Sequence, residues 1–162
     1  MSQKFVVLNR VDNQIEFLMN SFSINVQGYY LDGSRKNFPS DSGIYFVYRG
    51  IHDKEKNRAI LNELIYIGET DNLFQRHNEH NRRQDFLNTL GKGEVLFYCY
   101  AITNVTEEER KQIESALIYT ILPSLNEKST TEFDYPATEV KVEGDRHAFV
   151  PSSIIMKGSD TV

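Results

Sequence analysis

The chain has 162 residues, 40% of them hydrophobic and 25% charged, an ordinary globular balance with room for one domain and a sizeable core. A net charge of -5 and a pI of about 5.4 argue against a protein that coats nucleic acid non-specifically, though not against a local basic site. No apolar run is long enough to cross a bilayer, and Met1 to Phe5 carries no signal-peptide pattern, so a cytoplasmic location is expected.

In chain order, Phe5-Val6-Val7-Leu8 and Ile24 to Leu31 read as strands, while Ile15 to Met19 is open between strand and helix. Ile44 to Tyr48, rich in β-branched and aromatic residues, is a strand. The polar stretch His52 to Asn62 reads as a solvated loop or short helix on a hairpin, or as an insertion that contacts substrate. Leu64 to Ile67 is the next strand, closed by Gly68. Asp71 is placed to N-cap a helix running through Leu73, Phe74 and His77 and beyond, which puts Arg76 and His80 on one face and His77 at the surface. A short helix follows over Gln84 to Leu90, stopped by Gly91-Lys92-Gly93.

Val95 to Ile102 is an apolar strand in which the single cysteine, Cys99, reads as a buried structural thiol; a disulfide framework is excluded. Thr106-Glu107-Glu108-Glu109 is a capping box opening a helix to about Leu122, with a stripe of Ile113, Leu117, Ile118 and Ile121 and a stop at Pro123. Glu139 to Val142 and His147 to Val150, flanking Glu143-Gly144-Asp145-Arg146, read as a β-hairpin, and Lys157 to Val162 as a fraying end.

Two tripeptides stand out, Gly43-Ile44-Tyr45 and Tyr66-Ile67-Gly68, followed in order by Arg76, His80, Glu114 and Asn126. The string from Tyr66 through Asn72-Leu73, Arg76 and His80, and the later segment from Glu114 through Pro123 to Asn126, resemble the GIY-YIG nuclease family over Ser42 to Lys128. The resemblance implies an α+β fold: a small mixed or antiparallel sheet of three core strands flanked by helices. Residues 1–41 then form an N-terminal extension, 42–128 the catalytic core and 129–162 a C-terminal extension holding the hairpin.

It also implies a metal-dependent endonuclease cutting DNA, with RNA left open as substrate and a homodimer or protein partner left open as a source of specificity. The implied catalytic set is Tyr45, Tyr66, Arg76, His80, Glu114 and Asn126, with Glu114 binding Mg2+ or Mn2+. The residue types suit the task. A phenol beside cations can act as a base, a guanidinium grips two phosphate oxygens, and magnesium accepts one carboxylate because it keeps several waters. Tyr45 is the expected general base, Tyr66 and Arg76 bind phosphate, His80 takes or relays a proton or contacts phosphate, and Asn126 is a positioning residue or a turn asparagine.

Glu69, directly after the second tripeptide, would repel phosphate unless it turns away or meets the metal. Arg82, Arg83 and Lys92 are further candidates for backbone contacts. The competing reading is a nucleic-acid-binding or protein-interaction module that keeps the fold without cutting.

Overall fold

In the computed structural model, residues 3–7 and 17–159 are described, with side chains from residue 19 onward. The sheet grows from a hairpin: β-strands Gly43–Asp53 and Arg58–Thr70 pair antiparallel along their length, and Val95–Ile102 pairs on the other side of the first. Numbered in chain order, the strands are β1 Gln3–Val7, β2 Phe17–Leu31, β3 Gly43–Asp53, β4 Arg58–Thr70, β5 Val95–Ile102, β6 Thr138–Gly144 and β7 Ser153–Met156. The helices are α1 Leu73–Asn78, α2 Arg83–Asn88 and α3 Glu107–Ile121, with a short 3-10 helix at Asp32–Asn37.

The expected antiparallel trio is present as β4-β3-β5, but the sheet does not stop there. It is seven-stranded in the order β4-β3-β5-β2-β6-β7, with β1 also on β2, and mixed, since β2 and β6 run parallel. The three-stranded expectation is corrected for a physical reason: six consecutive residues of β5 are buried, and its backbone groups on the side away from β3 need partners. The C-terminal half of β2 supplies them, and its N-terminal half carries β6 onward.

Side chains from the sheet fill two apolar clusters. One holds Phe46, Ile67 and Cys99 with Ile113, Ala116 and Leu117 of α3. The other holds Tyr45, Val47 and Ile65 with Leu73 of α1 and Phe86 of α2. Each fully buried valine, leucine, isoleucine or phenylalanine among them contributes about 1.5–3 kcal/mol. Cys99 is a buried free thiol, as expected. Among the described residues, no helix is long and apolar enough to cross a membrane.

Four local expectations change. The polar stretch from His52 is mostly strand: β3 and β4 pair through Asp53↔Arg58, leaving only a tight turn closed by the Lys56 N–H donating to Asp53 at 3.1 Å. Cross-strand pairing there overrides the polar composition. The N-cap of α1 is Asn72 rather than Asp71, its side chain accepting from the Gln75 N–H at 2.9 Å. α1 ends at Asn78, where the Asn78 amide donates to the Phe74 carbonyl at 2.8 Å and Arg35 to the His77 carbonyl at 3.0 Å, so His80 lies beyond the helix.

The C-terminal hairpin pairs β6 with Ser153–Met156 instead of His147–Val150. After Gly144, at φ +82°, the Asp145 N–H bonds back to the Val26 carbonyl, and the intervening segment is the connection. The ambiguous Ile15 to Met19 falls partly outside the described residues; its last three positions open β2. Leu8 and residues 160–162 also lie outside them.

Candidate active site

The two glycines of the tripeptides explain themselves by close approach. A Cβ at Gly68 would overlap the ring of Tyr45, its cross-strand neighbour, and one at Gly43 would overlap the Ala101 carbonyl. Opposite Val47–Tyr48 the β4 register slips by one residue, inserting Ile65. This bulge leaves Tyr66 packed with the same cluster as Tyr45, with ring centroids 6.1 Å apart.

Tyr45, Tyr66, Arg76, Glu114 and Asn126 all line one cavity of about 520 Å³. His80 backs it, its Nε2 lying 2.8 Å from the Tyr45 hydroxyl. Thus the structure brings the six sequence-selected residues together, although Arg76 and His80 do so from a helix and the loop after it rather than from one helical face.

The hydrogen bonds assign a tautomer. The Arg82 N–H donates to His80 Nδ1 at 3.0 Å, so the neutral ring carries its proton on Nε2 and donates it to Tyr45. Burial, then the positive charge of Arg76, pushes His80 down to about 4, which keeps it neutral at pH 7. In this tautomer the Nε2–H donates to the Tyr45 hydroxyl and does not accept from it. Burial holds the Tyr45 phenol well above the usual range, with the Tyr66 phenol raising it further and Arg76 pulling it down. Tyr66 is raised by burial and Glu114 but eased by Arg82, whose guanidinium lies over its ring at 5.4 Å.

The outer edge of β4 organises the rest of the site. Its outward groups at Ile65, Ile67 and Glu69 would otherwise lack backbone partners. The Leu125 N–H donates to the Ile65 carbonyl at 3.0 Å. The Asn126 amide bonds both groups of Ile67, accepting at 2.9 Å and donating at 2.8 Å. Glu114 accepts from the Glu69 N–H at 3.1 Å. Asn126 therefore stands in for an absent strand, and its polar atoms face β4.

Glu69 neither turns outward nor repels freely: Arg110, buried on α3, pairs with its carboxylate at 3.1 Å. Arg110 and Glu114 are one turn apart, so the pair and the Glu69–Glu114 hydrogen bond lock α3 to the strand edge. Burial, then the nearby Glu69 charge, raises Glu114 to about 7. Among the described residues no ion pair neutralises it and no three metal-ligating side chains cluster. One half-buried, unneutralised carboxylate facing a roomy cavity fits a hard divalent cation that keeps most of its waters.

The Arg76 guanidinium makes no hydrogen bond or ion pair among the described residues, while Arg82 is tied to Asp85 and the Leu125 carbonyl. Arg83 pairs with Asp32 at 2.6 Å, and Lys92 sits exposed outside the cavity lining.

Sequence reasoning missed several neighbours. His77, expected at the surface, is 1% exposed; its Nδ1–H donates to the Leu73 carbonyl at 2.8 Å, and its ring meets those of Tyr45 and Phe38. Burial pushes it to about 4, so it supports the Tyr45 ring as a neutral group. Lys111, Ser115, Lys128, Ser129 and Tyr135 also line the cavity. No motif marks them; only the one-turn spacing of Lys111 and Ser115 on α3 hints at a shared surface.

No curated protein and no solved structure matches the chain. A family model, the GIY-YIG catalytic domain, matches residues 42–126, just over half of the chain and the span from the first glycine-flanked strand to Asn126. The chain therefore belongs to the GIY-YIG family, a family of nucleases.

Proposed function

We infer that the protein is a divalent-metal-dependent endonuclease that hydrolyses phosphodiester bonds of DNA. The observation that carries this reading is the meeting, in one cavity, of two phenols, an uncommitted guanidinium and an unneutralised carboxylate. Arg76 binds two non-bridging oxygens of the scissile phosphate, since its fork has no competing partner. Tyr45, as phenolate, accepts the proton of the attacking water. His80 Nε2–H donates to that oxygen and favours its charged form, offsetting part of the burial. Tyr66 orients the phosphate from the same wall. Magnesium or manganese held by Glu114 would neutralise charge on the phosphate and the leaving oxygen.

The non-cutting alternative drew on the acidic balance and on Glu69. Pairing of Glu69 with Arg110 removes that second argument.

Supercoiled plasmid incubated with the protein tests the reading. Nicking is expected with magnesium or manganese and is expected to vanish with EDTA and in Glu114→Ala. Nicking that survives both, or folded wild-type protein that cuts neither plasmid nor single-stranded DNA, would overturn it.

A further inference from the structure

The inferred chemistry leaves one wall of the cavity without a task. That wall comes from the chain after α3: Lys128, Ser129 and Tyr135. Three features set it apart from ordinary surface.

Lys128 is exposed and has no ion-pair partner among the described residues, in a chain with 23 acidic and 18 basic residues. The cavity's other lysine, Lys111, is tied to Glu107 at 2.6 Å. Next, Ser129 holds a left-handed backbone at φ +59°, which costs a non-glycine residue about 1 kcal/mol. Its hydroxyl lies 3.0 Å from that of buried Ser115 on α3, which fixes the segment against the helix. Finally, Tyr135 is half-buried and lines the cavity, its ring centroid 5.6 Å from that of Phe133. The volume of about 520 Å³ admits a whole nucleotide and not merely a phosphate group.

The geometry points to a nucleotide subsite on residues 128–135, seating one unpaired nucleotide beside the scissile phosphate, with a phosphate on Lys128 and the base against Tyr135. In a duplex both faces of a base are covered by its neighbours, so a ring recessed in a cavity meets only a base outside the stack. The preferred substrate is therefore DNA that is single-stranded or locally unpaired at the cut. This inference rests on the nuclease reading above, and its test separates the two.

Binding of a labelled single-stranded DNA oligonucleotide, and of the same sequence as duplex, is measured for the full chain in EDTA, where no cutting occurs. The single strand is expected to bind more tightly. Tyr135→Ala is expected to weaken single-strand binding roughly 5- to 150-fold while leaving duplex binding within about 2-fold. Tyr135→Phe keeps wild-type affinity, because the ring supplies the contact. If Tyr135→Ala melts early, Tyr135→Leu, which retains apolar packing on Phe133 but offers no flat face, replaces it with the same expectation. Lys128→Ala is expected to lower the slope of log affinity against log salt by about 0.7.

Single-strand binding unchanged in Tyr135→Ala or Tyr135→Leu, a Tyr135→Phe loss as large as that of Tyr135→Ala, or preference for duplex would overturn the subsite. Tyr135-dependent binding without cutting in magnesium would overturn the nuclease reading and leave the subsite standing.

Discussion

The two walls of the cavity are built on opposite principles. On the β3–β4 wall the polar side chains are engaged with one another: Tyr45 with His80, His80 with the Arg82 N–H, Asn126 with both backbone groups of Ile67. Elsewhere in the cavity lining, Arg76 and Lys128 make no ion pair among the described residues. The engaged wall fixes where chemistry can happen; the uncommitted groups are what a phosphate can recruit without breaking anything. Preorganised donors gain their effect because no rearrangement is needed at the moment of reaction.

That contrast is broken most severely at Arg76. Arg76→Ala is expected to cut the cleavage rate by about 10²–10³-fold while leaving the melting temperature unchanged, since no native bond is lost. A melting temperature that falls with the rate would show Arg76 to be structural. Asn126→Ala is the mirror case. Freeing both groups of Ile67 at a part-buried edge is expected to cost about 1–3 kcal/mol, read as a fall in thermal midpoint of several degrees, with cleavage well below that midpoint reduced far less than in Arg76→Ala.

Glu114→Gln sharpens the comparison in the opposite direction. The folded-state value of Glu114, about 7, lies above its unfolded one. Its contribution to stability is therefore full below the unfolded value and is lost as pH rises through about 7. Removing the charge should raise the metal-free melting temperature at pH 8, by about 2 kcal/mol of stability, and change it little at pH 4. Thermal melts at the two pH values check this, and no gain at pH 8 would show that the carboxylate is already neutralised. The smallest effect expected is that of Arg83→Ala on cleavage, about 2-fold or less, because Asp32 holds that guanidinium away from the cavity.

The engaged wall was largely legible in the sequence. Gly68 must be glycine because Tyr45 lies over it, and such close approaches leave short, ordered strings that survive as motifs. Strands β3, β4 and β5 and the capping box of α3 were readable for the same local reasons. What escaped depends on distant pairing. Nothing local tells His77 that Phe38 and Tyr98 will cover it, or tells β6 that it will run parallel to β2 before meeting Ser153–Met156. Glu69 looked unfavourable because Arg110, its partner, lies 41 positions away. Lys128 and Tyr135 follow no period, so only the fold brings them to Glu114.

The central claim is that Tyr45 is the group that activates water, and the rate of DNA cleavage by wild type and Tyr45→Phe across pH, in magnesium, tests it most directly. Phenylalanine keeps the ring over Gly68 and removes only the hydroxyl that meets His80. With its phenol held above the usual range, wild type should cut faster with rising pH, by about tenfold per unit on the ascending limb. Tyr45→Phe should be slower by about 10²-fold or more and lose that dependence. A Tyr45→Phe variant that cuts at the wild-type rate, with the same pH profile, would contradict the account.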